Sequence, residues 1–151
     1  MPTAARALFE QYLSPQWCGV LQALAAEFSA QLNRDELRQM MFKVGVRFAT
    51  ARPITASASI AELADAINTC WAAMQWGQVH IADESNHLSI THYGAPLRAF
   101  GADAMTWAPA FLQGCYQSWL DAMGAVQLEV VEAGVHDEGF TVEFHLVSAT
   151  N

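Results

Sequence analysis

Three of the five histidines, His80, His87 and His92, lie close together with Asp83 and Glu84. Imidazole and carboxylate groups are zinc ligands when three or four of them converge on one point. The local pattern decides whether they can. Apolar residues alternate after Gln78, with Val79 and Ile81, a polar turn over residues 83–86, then Leu88 and Ile90, which predicts a β-hairpin with one buried face. If Ala82 pairs with His87, Val79 meets Ile90 and Ile81 meets Leu88. Pleat parity then places His80 and His87 diagonally on one face and His92 on the other, with Val79 and Ile81. Ligands on opposite faces do not converge, so solvated hairpin histidines are expected and no metal. His136 and His145 have no spacing that adds to the set.

Other chemistries fare no better. The chain has no G-x-S-x-G elbow, and Cys18, Cys70 and Cys115 each fall inside a predicted helix with no recognisable base beside them. Glycines are scattered singly, without a phosphate-binding fingerprint. The chain has fifteen acidic residues. A pair of carboxylates for glycoside hydrolysis could be chosen at will, and the choice carries no information. Trp17, Trp71 and Trp119 could stack on sugars, but they sit on helical stripes, where burial in a core or an interface is the commoner fate. The expectation is a protein without catalytic residues, metal or cofactor.

The elements that would position these groups are legible from periodicity. Residues 3–13 form a short helix candidate with Leu8, Phe9, Tyr12 and Leu13 apolar. Ser14 and Pro15 make a cap and first-turn pair opening a second helix, with Trp17, Val20, Leu21, Leu24, Phe28 and Leu32 on one face. Asn33 with Glu36 resembles a capping box, and Leu37, Met40, Met41, Val44 and Phe48 carry the next helix toward Pro53. Gly45 inside it costs about 1 kcal/mol relative to Ala, which implies close backbone packing. Ser59 with Glu62 opens a helix lined by Ile60, Leu63, Ile67, Trp71 and Met74 and ended by Gly77. The hairpin follows. Residues 107–123, WAPAFLQGCYQSWLDAM, are helix-length, apolar nearly all round and carry one charge, Asp121. Such a helix must be covered by other elements or by another subunit. Residues 127–132 and 140–147 then form a strand pair around a turn at 134–139, with Phe140, Val142, Phe144 and Leu146 facing the core. Helices, hairpin, helix, hairpin predict an α+β domain with a small antiparallel sheet packed on helices. The whole of 1–151 reads as one domain, with 1–14 peripheral.

Composition bears on partners. Charged residues make up 15% of the chain and the hydrophobic set 53%, and Lys43 is the sole lysine. An ordinary soluble domain is about 25% charged. A surface so poor in charge points to self-association. A net charge of -8 leaves no basic patch and argues against nucleic acid or an anionic membrane. No apolar run is long enough to span a bilayer, and the start MPTAARALFEQYL lacks the apolar core and cleavage site of a secretory signal. The three cysteines are odd in number and widely spaced, so they read as small core residues of a cytoplasmic protein. Phe9, Tyr12, Leu13, Trp17, Tyr116, Trp119 and Leu120 are the interface candidates.

Two stretches carry a family resemblance. Residues 74–81, MQWGQVHI, preceded by a long helix, and residues 107–119, WAPAFLQGCYQSW, resemble the two best-marked blocks of the D subunit of bacterial cellulose synthase. Residues 37–48, with Gly45-Val46-Arg47-Phe48, are similar to a third block, and order and spacing fit from about Leu21 to Leu146. The resemblance implies a non-catalytic accessory protein of cellulose secretion, built from dimers into a cylindrical octamer that encloses passages for glucan chains. It also implies other cellulose synthase complex proteins as partners and an N-terminal segment lining the passages, which would turn Thr3 and Arg6 toward glucan. A different reading takes helices followed by hairpins as resembling the vesicle-tethering and haem nitric-oxide-binding group of folds. That reading would place an apolar ligand in the core near His80 or His92.

Overall fold

The computed structural model describes residues 14–148 apart from Ala56 and Val126. The expected helix at residues 3–13, with Thr3, Arg6, Phe9, Tyr12 and Leu13, lies outside the described residues. Three helices come first: α1 (Pro15–Gln31), α2 (Arg34–Thr50) and α3 (Ile60–Met74). A hairpin of β1 (Gln78–Asp83) and β2 (Leu88–Tyr93) follows, then two 3-10 turns (Leu97–Phe100 and Ala102–Thr106), α4 (Ala110–Ala122), β3 (Leu128–His136) and β4 (Thr141–Ser148). The strands form one antiparallel sheet in the order β1-β2-β4-β3. The fold is α+β, as the periodicities predict.

The caps explain where the helices begin. Asn33 accepts from the Glu36 amide while the Glu36 carboxylate accepts from the Asn33 amide, both at 2.9 Å, so two otherwise unpaired donors of the first turn of α2 are satisfied. At α3 only half of the expected box forms. Ser59 accepts from the Glu62 amide at 3.1 Å, but the Glu62 carboxylate takes the Ala58 amide instead. The end of α3 also differs from expectation. Gln75, not Gly77, makes the left-handed cap, with φ of 59°, and Gly77 takes its own positive φ two residues later, against the Tyr93 carbonyl.

The hairpin register is shifted from the expected one. Val79 faces His92 and Ile81 faces Ile90, with residues 84–87 between the paired ends Asp83 and Leu88. A shift of two residues preserves parity, so the buried face is the one foreseen. In the second strand pair β3 runs on to His136 past an irregularity between Glu132 and Gly134, and the turn shrinks to a 3-10 piece, Asp137–Gly139. Phe140 falls in that turn rather than on the core face of β4.

The apolar helix α4 is the centre of the molecule. Phe111, Leu112, Cys115, Tyr116, Trp119 and Leu120 are buried inside the subunit. One side lies on α2 at backbone contact, because a Cβ on Gly45 would stand 2.0 Å from the Phe111 carbonyl oxygen and one on Gly114 would stand 2.1 Å from that of Phe42. Its other side joins the inner face of the sheet, where Val79, Ile90, Val130, Val142, Phe144 and Leu146 are buried. Of the two coverings expected for residues 107–123, the chain's own elements supply this one. Tyr116, Trp119 and Leu120, expected as interface candidates, are buried in the core of the subunit itself.

Candidate interaction surface

Chemistry, if the fold held any, would need polar groups left free in the interior. His92 is fully buried, with Trp71 and Tyr116 against its ring. Its Nε2 lies 2.7 Å from the Trp76 carbonyl oxygen, which can only accept, so Nε2 carries the proton and Nδ1 is bare. Tyr116 donates its hydroxyl proton to that Nδ1 across 2.5 Å and accepts from the Trp71 indole N–H at 3.0 Å. Every polar atom in this chain of bonds is used. Burial lowers the His92 pKa to about 4, against a smaller opposing effect of the Trp76 carbonyl. Burial likewise raises Tyr116 well above the ordinary phenol value. With both ring nitrogens engaged, His92 has no lone pair for a haem or metal, which removes the footing of the core-ligand reading there. His80 is exposed on β1.

The thiols are similarly placed for packing. Burial raises Cys115 far above the usual thiol range, with Cys70 adding to it, and burial raises Cys70 against the opposing charge of Arg52. Both are protonated and poorly nucleophilic at neutral pH.

The outer face of the sheet gathers histidines that sequence spacing leaves apart. β2–β4 pairing sets His145 opposite Ser89, and the His87 and His145 rings lie 4.1 Å apart at an interplanar angle of 36°. Glu143 stands between two imidazoles, 3.2 Å from His145 Nε2 and 3.7 Å from His136 Nε2. Among the described residues no group of three or more His, Cys, Asp or Glu could hold a metal ion. Only strand order, which no local window contains, brings these side chains together.

The surface that stands out is on α1. Its inward side is Leu21, Ala25, Phe28 and Leu32, with Cys18 half-buried, packed toward the turn at Leu97–Phe100. Trp17, Val20 and Leu24, expected on that same face, lie on the outside, 59%, 49% and 44% exposed. They repeat at three and four residues and form one row along the helix. Gly19 beside them has nothing within 4 Å of a would-be Cβ. At about 100° per residue Trp17, Val20, Leu21, Leu24, Ala25 and Phe28 span about 140° of α1, and the subunit covers only the side with Leu21, Ala25 and Phe28. An open groove of about 200 Å³ begins at the foot of the row, lined by Ser14, Trp17, Cys18, Trp76, Pro96 and Phe100 among others. Of the interface candidates in the described residues, Trp17 is thus the one at the surface. Val20 and Leu24 join it, and the signal that could have separated them from Leu21 and Phe28 is the width of the stripe.

Among the described residues no helix is long and apolar enough to cross a membrane. Comparison with known proteins gives one family: the family model for the D subunit of cellulose synthase matches residues 4–145 of the 151-residue chain. No curated protein matches it.

Proposed function

The chain belongs to the family of the cellulose synthase D subunit, and so has a role in cellulose synthesis; we propose that the role is that of a non-catalytic component that acts by assembling. Copies of the chain associate, the assembly organises the cellulose synthase complex through its other proteins, and glucan chains are guided on their way to export and crystallisation. The observation that carries this reading is the uncovered row Trp17, Val20 and Leu24 on α1. Burying such side chains is favourable by roughly 25 cal/mol per Å² of apolar surface, and a protein that leaves them in water has a use for them at an interface. The polar groups in the core support the non-catalytic part, since among the described residues each buried side-chain N or O atom has a hydrogen-bond partner.

The finer elements of the reading are the octamer built from dimers, the contact of Thr3 and Arg6 with glucan, and a cytoplasmic location. Support for the last is the set of three unpaired cysteines, which suits a reducing compartment. Light scattering coupled to size exclusion tests the central claim. A mass several times the 16.5 kDa of one chain is expected at micromolar concentration, and a monomer overturns the proposal. Replacing the row by Trp17→Glu with Leu24→Glu should shift the protein to a smaller species while its circular dichroism stays native. Incubation with cello-oligosaccharides should release no product.

A further inference from the structure

We propose that side-chain amides from the helices cap part of each edge of the sheet, and that this capping restricts self-association to the helical surface by disfavouring strand addition. An edge strand offers alternate N–H and C=O groups to any incoming strand, including one from a second copy. β1 and β3 are the two edges here. On β1, Asn68 of α3 accepts from the Val79 N–H at 2.7 Å and donates to the Val79 carbonyl at 2.9 Å. On β3, Gln117 of α4 accepts from the Val130 N–H at 2.8 Å and donates to the Leu128 carbonyl at 3.0 Å. Gln113, one turn earlier, donates to the Val130 carbonyl at 2.9 Å.

These are the donors and acceptors that a neighbouring strand would supply. One primary amide meets an N–H and a C=O of the edge at once, on a single residue of β1 as an antiparallel partner would and on residues two apart in β3 as a parallel one would, so each edge is already occupied over part of its length. The rest of β3 is blunted by other means. Glu132, the next residue pointing the same way, is held by Arg38 at 2.8 Å, and the register irregularity between Glu132 and Gly134 bends the strand there. The device appears on both edges, from two different helices and with two different amide residues. An assembly built through α1 needs it, because a chain that could also grow edge to edge would make mixed, open-ended aggregates. The inference rests on the assembly reading for its purpose, but the residues that carry it are separate from the α1 row.

The test uses the full chain with Asn68→Ala and Gln117→Ala, each alone and each combined with Trp17→Glu and Leu24→Glu. Light scattering over a concentration series gives mass, and the infrared amide band reports strands paired between molecules. The amide variants are expected to form larger species, at least doubling in mass at the highest concentration, with an intermolecular β signal in both backgrounds. Folded variants that keep the parent mass and lack that signal overturn the proposal. Should the alanine variants fail to fold, Asn68→Asp and Gln117→Glu decide, since they keep side-chain size and the bond from the strand N–H but set a carboxylate against the strand carbonyl. Loss of fold in all four would also overturn it, because the amides would then be parts of the fold and not guards. If Trp17→Glu with Leu24→Glu leaves the mass unchanged, the assembly reading fails, whatever the amide variants do.

Discussion

His92 has its Nε2–H committed to Trp76 and its Nδ1 to the Tyr116 hydroxyl, so an added proton on Nδ1 meets a hydroxyl that must turn its own proton away. Tyr116 would then face the Trp71 N–H with fewer lone pairs free. In the unfolded chain an imidazole protonates near pH 6.5, in the fold only near 4. Between those values the unfolded state binds more protons, so stability rises with pH through the window and is lost as pH falls through it. The whole window is worth about 3 kcal/mol. Urea denaturation at pH 7 and pH 4.5 should show the loss, and the part due to His92 should vanish in His92→Phe, whose ring cannot titrate. A second expectation belongs to the same atoms. Tyr116→Phe leaves the Trp71 N–H and His92 Nδ1 without partners in a dry site, at about 1 to 3 kcal/mol each. Its midpoint should fall accordingly at pH 7, and a midpoint equal to that of the parent would mean the three groups are not coupled as described.

At the scale of elements the decisive contact is the crossing of α2 and α4, where Gly45 and Gly114 let two backbones touch. Gly45→Ala and Gly114→Ala each drive a methyl group into a carbonyl oxygen, and since backbone cannot swing aside as a side chain can, each should cost about 1 to 3 kcal/mol or more in a denaturant titration. This outweighs the gain of up to about 1 kcal/mol that Ala brings to a helix interior. The need for Gly45 was legible in the sequence from its position inside a periodic helix, as were the caps at Asn33 and Ser59, the faces of β1 and β2 and, Phe140 apart, the core face of β4. What was not legible had a common cause. Gly114 sits in a run so apolar that it marks no contact face, and whether Trp119 met α2 and α3 or a second copy depended on which elements came near it in space. The same holds for His87, His145 and Glu143, which strand order brings together from distant parts of the chain, and for the amide bonds of Asn68 and Gln117 to the sheet edges. Local pattern gives period and parity, whereas these depend on the order of β1-β2-β4-β3. Val20 and Leu24 are the converse case, since helical spacing alone set them on one face with Leu21 and Phe28, whereas they lie on the outside.

For the molecule as a whole, net charge and the uncharged side of α1 set opposing requirements. Each copy carries -8, so copies repel one another at long range. Residues 15–26 of α1 contain no charged side chain, and the first one met is Glu27. A seam made by Trp17, Val20 and Leu24 has no ion pairs for salt to weaken, while the repulsion around it is screened once the Debye length falls from about 30 Å at 0.01 M to about 8 Å at 0.15 M. Self-association should therefore tighten with salt, by about threefold to tenfold over that range, on the scale of the 1.4 kcal/mol that a factor of ten represents. Sedimentation at the two salt concentrations measures it. An interface held by Arg38, Arg47 or Arg52 against the acids of another copy would do the opposite and loosen, so the sign of the salt effect tells a helical apolar seam from an electrostatic one. A glutamate at Trp17 sharpens the contrast, because it adds repulsion at the seam itself, and whatever association survives in that variant should depend on salt more steeply than in the parent.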